Sequence, residues 1–432
     1  MATASKPKAS LKTMPTIVKV LLSLFALYIL IGAGCNWKLE SDLSHARAEA
    51  KKAGLALTYA ELRSMLPNPS ESENAAPVIE KLTALRPNKA QDEVAATKLL
   101  FKISPTPSEW QLVESVSPQL DRVSRVAEEL KGKTAVNFNR KWELGFDVLY
   151  PEYAQIRNSI KMLCLKARLL AHRSDRLGAF QLLKSAFHLA ELSGNELTLI
   201  GLLSTSSNEL ICLQTLNLII GNKPLSPPEK ALVTNIREML GSVRPMGDYL
   251  QLDCASVNMT IESGSVKSLL EMDGKDSKDE AIEVVMRSTL RKVVLAEYLK
   301  SITKLYRFCS DKSLSPMELI YRTESFDRTV ASPGKYEISK KVALVFLPQF
   351  RFIAQSYAKL TAIRTLIDGL LGKPIGIDPY TEGPMKEMRL MNATLYYSVG
   401  PNLVDERGAF HDSSGKRISG YDDIAIVVPK TD

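Results

Sequence analysis

The stretch "PEYAQIRNSIKMLCLKARLLAHRSDRLGAFQLLKSAFHLAELSGNE", residues 151–196, decides the fold. Ile156, Ile160, Leu163, Ala167 and Leu170 recur every three or four residues, the spacing that lines up one face of an α-helix. After the short turn "RSDR", Leu177, Phe180, Leu183, Ala186, Phe187 and Ala190 repeat the pattern, and Gly194 supplies a stop. Two amphipathic helices joined so tightly must lie antiparallel, apolar face to apolar face. The next segment, "LTLIGLLSTSSNELICLQTLNLII" at 197–220, is largely apolar and predicts a buried helix. The expectation is a mainly α protein whose body is built of stacked helical hairpins.

Helix start signals extend that reading in both directions. Ser/Thr-x-x-Glu occurs at Thr58–Glu61, Thr106–Glu109, Ser226–Glu229 and Ser315–Glu318, so that a hydroxyl and a carboxylate each cap a free backbone N–H. Pro107, Pro227 and Pro316 then fall at the first helical position, where a missing N–H costs nothing. Residues 226–310 predict further helices, interrupted by "ESGSVKSLLEMDGKDSKDE" at 262–280. Lys275 stands there where a calcium loop needs an oxygen ligand, so a solvated connection is expected. Residues 338–371 predict a long helix that Pro348 kinks or divides, closed by Gly372 and Pro374. Residues 54–75 and 311–337 are the expected connecting loops. The alanine–leucine texture of 151–196 resembles tetratricopeptide-type hairpins, but the signature Trp-Leu-Gly-Tyr positions are missing. Past Gly376 the period changes. "KEMRLMNATLYYSVG" suits two short strands around Asn392–Ala393, and "DDIAIVV" a third, which predicts a small C-terminal antiparallel β module.

The chain carries 56 lysines and arginines against 48 acids, a formal charge of +8, in an ordinary composition of 45% hydrophobic and 24% charged residues. Lys6, Lys8, Lys12 and Lys19 all lie in the first 35 residues, which contain no acid. Without those four, 52 basic side chains face 48 acidic ones, too slight an excess for a nucleic-acid surface. The same segment holds "IVKVLLSLFALYILIGAGC", 17–35, whose nineteen residues span roughly 28 Å as a helix, close to a bilayer's ~30 Å core. Lys19 can snorkel at one interface, and Trp37 with Lys38 suits the other. The upstream lysines predict a cytoplasmic N-terminus by the positive-inside rule. This gives a cytoplasmic tail (1–16), a single-pass transmembrane anchor in a lipid bilayer (17–35), an extracytoplasmic helical domain (36–375) and the β module (376–432). A second reading makes this a lipoprotein signal, because "IGAGC" partly resembles a lipobox in which Cys35 is lipidated; a cleaved signal peptide or a buried helix is the third. Cys164, Cys212, Cys254 and Cys309 form no CxxC and predict no zinc site. Packing as small hydrophobes is expected of them, with two disulfides as the alternative in an oxidising compartment.

The chemically pointed segment is "YYSVGPNLVDERGAFHDSSGKRISGYDDIAIVV", 396–428, in which Asp405, Asp412, Asp422 and Asp423 fall between two strands. Calcium takes six to eight oxygens, which four aspartates and nearby carbonyls can supply; the alternative is an ordinary solvated turn. Asp378-Pro379-Tyr380 with Pro384, Tyr397-Ser398-x-Gly400, Asp405 and Asp422-Asp423-Ile424 resemble the C-terminal segment of type II secretion major pseudopilins. That resemblance covers about fifty residues and implies calcium held by Asp405, Asp422 and Asp423; Asp412 is added here from its place in the loop. The prepilin cleavage signature is absent. The chain as a whole resembles membrane-anchored bacterial envelope proteins of unassigned function with helical bodies.

Catalytic signatures are missing. His45, His172, His188 and His411 have no metal-ligand spacing, and there is no nucleophile elbow, P-loop or dinucleotide fingerprint. His188 and Glu191 share a helical face at i, i+3, a pattern that suits a structural histidine before a catalytic one. The expected function is a membrane-anchored, non-enzymatic interaction or scaffold module of the bacterial envelope, offering a protein partner a groove between residues 150 and 310. A structural subunit of a secretion or pilus-like assembly, or an envelope hydrolase of unrecognised type, are the alternatives.

Overall fold

A computed structural model describes residues 16–66, 68–85, 91–263, 291–331, 350–409, 411–412 and 414–430, with side chains of the first helix described from Ser23 onward. The loop expected at 262–280 and the helix-dividing Pro348 lie almost wholly outside these residues. In chain order the helices are α1 (Thr16–Ala53), α2 (Tyr59–Arg63), α3 (Ala76–Ala84), α4 (Gln91–Lys98), α5 (Pro107–Ser115), α6 (Ser117–Glu128) and α7 (Glu152–His172). There follow α8 (Arg176–Leu192), α9 (Leu199–Ile220), α10 (Pro227–Leu240), α11 (Met246–Ser263), α12 (Arg291–Cys309), α13 (Pro316–Ala331) and α14 (Phe350–Leu370). Strands β1 (Lys386–Arg389), β2 (Ala393–Ser398) and β3 (Ile424–Pro429) close the chain as one antiparallel sheet in that order.

The protein is therefore mainly helical with a small C-terminal sheet. The hairpin forms as its spacing requires: Ser174 turns the chain at φ 68°, and Asp175 caps α8 by accepting from the Gly178 N–H at 2.9 Å. Two large apolar clusters make the core. One joins α3 and α6–α10 to α14 and the sheet; the other joins the second half of α1 to α11–α14. Cys164, Cys212, Cys254 and Cys309 are buried free thiols.

Two expected loops are partly helical. Tyr59–Arg63 and Pro316–Ala331 are helices, because Thr58 and Ser315 cap them, accepting from the N–H groups of Glu61 at 3.3 Å and Glu318 at 3.1 Å. These were the residues that carried the start signals, so the composition of 54–75 and 311–337 misled where the caps did not.

The first helix also differs from its expected bounds, running past Cys35 without a break to Ala53. Its second half buries Leu43, Ala46 and Ala50 against α12, with Glu49 paired to Arg307 at 2.7 Å and Arg47 to Glu262 at 2.6 Å. Contact with the body starts at Asn36 and Glu40, both of which meet Lys292. Ahead of them Leu24, Phe25, Leu27, Tyr28, Leu30 and Ile31 are all more than half exposed. Among the described residues, no helix is long and apolar enough to cross a membrane.

α9 is buried nearly all round, as an apolar helix must be, yet it carries Glu209 with no exposed surface. The Arg364 guanidinium of α14 resolves this. Its Nη2 donates to Glu209 Oε1 at 3.0 Å and to Glu191 Oε2 of α8 at 2.8 Å. Burial pushes the Glu209 carboxyl up, and the Arg364 guanidinium pulls it back toward the charged form. Removing one partner of such a group strands the others in an apolar interior. Arg364→Met is expected to destabilise the protein by ~3–5 kcal/mol, read as a lowered urea midpoint.

Candidate metal centre

The sheet is fastened to the helices before it can hold anything. Ile424 and Ile426 alternate inward on β3 and join the main core. The Asn217 side chain of α9 donates to the Ala425 carbonyl at 2.5 Å and accepts from the Val427 N–H at 2.9 Å, filling the outer edge of β3 like a further strand. Asp378, buried just ahead of β1, accepts from the Tyr380 N–H (3.0 Å), Ser398 Oγ (2.8 Å) and the Val399 N–H (3.1 Å). It holds the end of β2 in place and spends its oxygens doing so.

Gly400 follows at φ +68°, where an added Cβ would overlap the Asp422 carbonyl. Only glycine lets the two loops approach. That approach brings Glu406, Asp422 and Asp423 together, with one carboxylate oxygen from each lying within 4.8 Å of the others. Asp423 is 1% exposed. Its Oδ2 accepts from the Gly408 N–H at 2.7 Å, whereas among the described residues no N–H group donates to Oδ1 or to Glu406 Oε2, both buried. Asp422 accepts from the Asn402 N–H at 3.1 Å. Burial, and then the Glu406 carboxyl, push Asp423 up to about 7 and Asp422 up to about 6.

Of the four aspartates expected to converge, two do. Asp405 faces the sheet instead: it accepts from Lys386 Nζ at 2.7 Å, from the Tyr397 hydroxyl and from its own Arg407 N–H, the last two at 3.0 Å. The Lys386 ammonium holds its carboxyl below the ordinary range. Asp412 is an exposed turn-former, accepting from the N–H groups of Ser414 at 2.9 Å and Lys416 at 3.0 Å. Both aspartates bond the N–H two residues on, the habit of a short carboxylate in a turn. Glu406, one methylene longer and one position on from Asp405, supplies the third carboxylate. The i-to-i+2 turn preference was the available signal for setting Asp405 and Asp412 aside; nothing in the sequence singled out Glu406.

The arrangement suits a hard cation. Oxygens on opposite sides of a calcium ion at ~2.3–2.6 Å sit roughly 5 Å apart, a spacing the three carboxylates can adopt; without a cation, the Asp423 carboxyl has the Glu406 carboxyl as its hydrogen-bond partner. The remaining ligands would come from carbonyls and water.

Elsewhere the expected pairing of His188 with Glu191 does not form, since Glu191 is engaged by Arg364 and His188 bonds the backbone of Lys133. His172 stacks on Trp110 at 4.2 Å. A polar cavity of about 220 Å³ has Glu196 in its lining, but Arg140 covers both oxygens of that carboxylate at 2.8 and 3.0 Å. A half-open apolar groove of about 400 Å³ lies between α4, α6 and α7, among residues 93–165 and so mostly upstream of the 150–310 span expected to carry one.

No family model, curated protein or solved structure matches the chain.

Raised carboxyl pKa values set a pH dependence. Asp423 and Asp422 bind protons more tightly folded than unfolded, so their contribution is complete below about pH 4 and is lost as pH rises through about 6 to 7. In the presence of EDTA, Asp423→Asn is therefore expected to raise the melting temperature at pH 8 by several degrees and to leave it unchanged at pH 4.

Proposed function

We propose that this chain is a single-pass membrane protein of the bacterial envelope, with its N-terminus in the cytoplasm and its helical body outside. There it serves as a non-enzymatic interaction or scaffold module, and its C-terminal sheet is clamped by a calcium ion at Glu406, Asp422 and Asp423. One observation carries the placement. Along a single helix, the described side chains between Ser23 and Cys35 are exposed, and contacts with the body are seen from Asn36 onward, where the apolar sequence of 17–35 ends. Leu24, Phe25, Leu27, Leu30 and Ile31 would be costly to leave in water, and a bilayer is the occupant whose thickness matches the segment. Trp37, 75% exposed, then sits at the headgroup level.

A second reading has its own support. Ile377, Met391, Leu403 and Val404 of the C-terminal module are exposed, Met391 at 90%, as they would be in a subunit that polymerises through its β end. Fibre formation or co-sedimentation with a fibre would decide for it.

Two measurements test the first reading. A C-terminal alkaline phosphatase fusion is expected to be active and a C-terminal green fluorescent protein fusion dark; the reverse pattern, or a protein wholly in the soluble fraction, overturns the placement. For the clamp, calcium at about a hundred times its dissociation constant should stabilise the protein by ~2.7 kcal/mol. The rise in melting temperature should vanish in Asp423→Asn, and an equal rise in that variant rules the site out.

A further inference from the structure

The groove between α4, α6 and α7 has a chemical direction. Along one face of α7 the lining runs from Asn158 and Lys161 to Met162 and Leu165; Val116 and Leu120 of the adjoining segment add apolar side chains to it. From Asn158 to Leu165 is seven helical steps, ~10 Å. A cavity of about 400 Å³, mostly apolar with a few polar groups, is the usual build of a small-ligand site.

Lys161 is half-buried and has no hydrogen-bond or ion-pair partner among the described residues. Burial, with the Arg157 guanidinium nearby, pushes its ammonium down from the usual lysine range. A cation in apolar surroundings without a counter-charge is costly, and an anion from outside would relieve that cost. Lys98 adds a further positive charge to the lining. Glu93 is the one acid there; its Oε2 is buried without a partner, and burial raises its carboxyl.

We propose that this groove binds a single-tailed amphiphile with an anionic head, the head held by Asn158 and Lys161 and the tail lying over Met162, Leu165, Leu120 and Val116, head and tail together running ~10 Å along α7. Charge complementarity selects the head, since the groove's polar end offers an unpaired ammonium. The 3.6-residue spacing of α7 sets head and tail on one line. The head can be a fatty-acid carboxylate or a lipid phosphate, which share the same oxyanion chemistry. The proposal is independent of the carboxylate cluster at the other end of the chain, so either can fail without the other.

The test uses full-length protein in nanodiscs and a photoreactive, diazirine-bearing octanoate, with cross-links mapped by mass spectrometry. The expected result is saturable labelling of residues 93–98 and 158–165. Octanoate and octyl phosphate should compete at least about tenfold better than octanol; their relative strength tells carboxylate from phosphate. Lys161→Met should reduce labelling about tenfold. Val94→Trp, placed at an exposed rim position so that folding is spared, should block labelling, and both variants should keep the parent melting temperature. Glu93→Gln should retain binding. Labelling confined to residues 16–35, equal competition by octanol, or an unaffected Lys161→Met would overturn the proposal. So would displacement by an acidic amphipathic peptide at lower concentration than octanoate, which would make the groove a protein-docking surface.

Discussion

A carboxylate on a helix that is buried on every side must find a cation inside the protein, and Glu209 finds Arg364. The consequence reaches beyond one ion pair. Arg364 belongs to α14 and Glu191 to α8, so the guanidinium joins the last long helix to both the hairpin and the helix it covers. Apolar packing would let these helices slide against one another at modest cost, because it has no direction. A shared, desolvated guanidinium allows one register. The price in desolvation is high, and the return is specificity of arrangement more than stability.

Fixing α14 fixes the C-terminal module, which has too little core to stand alone. Its strands have four to six residues, and the sheet rests on the helices through β3, which packs on α9 and α14, and β2, which meets α14. Asn217 reads two backbone groups of β3, and the Tyr380 hydroxyl donates to the Gln355 carbonyl of α14 at 2.7 Å. The far loop is tied down as well: His411 stacks on Phe101 at 4.5 Å, and Gly415 lies so close to the Lys102 backbone that no side chain fits. That docking surface is itself organised by Arg168, which donates to the carbonyls of Leu99 (2.8 Å), Leu100 (2.6 Å) and Lys102 (2.7 Å) at the end of α4. A carboxylate cluster held on such a frame stays buried and close-set, and burial first, with the Glu406 carboxyl second, is why Asp422 and Asp423 hold their protons above the usual carboxylate range.

The N-terminal helix applies the opposite logic. Its second half packs Leu43, Ala46 and Ala50 on the body, while none of the described side chains ahead of Leu43 belongs to a core cluster. Because the helix is continuous, any constraint on residues 17–35 is transmitted to α12 as a rigid lever, with no hinge at Cys35.

The sequence by itself determined the elements whose cause is local. Periodicity defined α7 and α8, hydroxyl–carboxylate spacing marked the starts of α2, α5, α10 and α13, and alternation after Gly376 gave the three strands. Each of these rests on side chains acting on their own turn or face, which a linear reading can see. Tertiary structure decided everything that needed two distant segments to meet. That Glu406 and not Asp405 joins Asp422 and Asp423 depends on which way a turn at φ +60° points its neighbours. That Glu191 serves Arg364 and not His188 depends on a helix more than 150 residues away. The groove opened between α4, α6 and α7 because three separate segments converge there, and no spacing within any one of them encodes the gap.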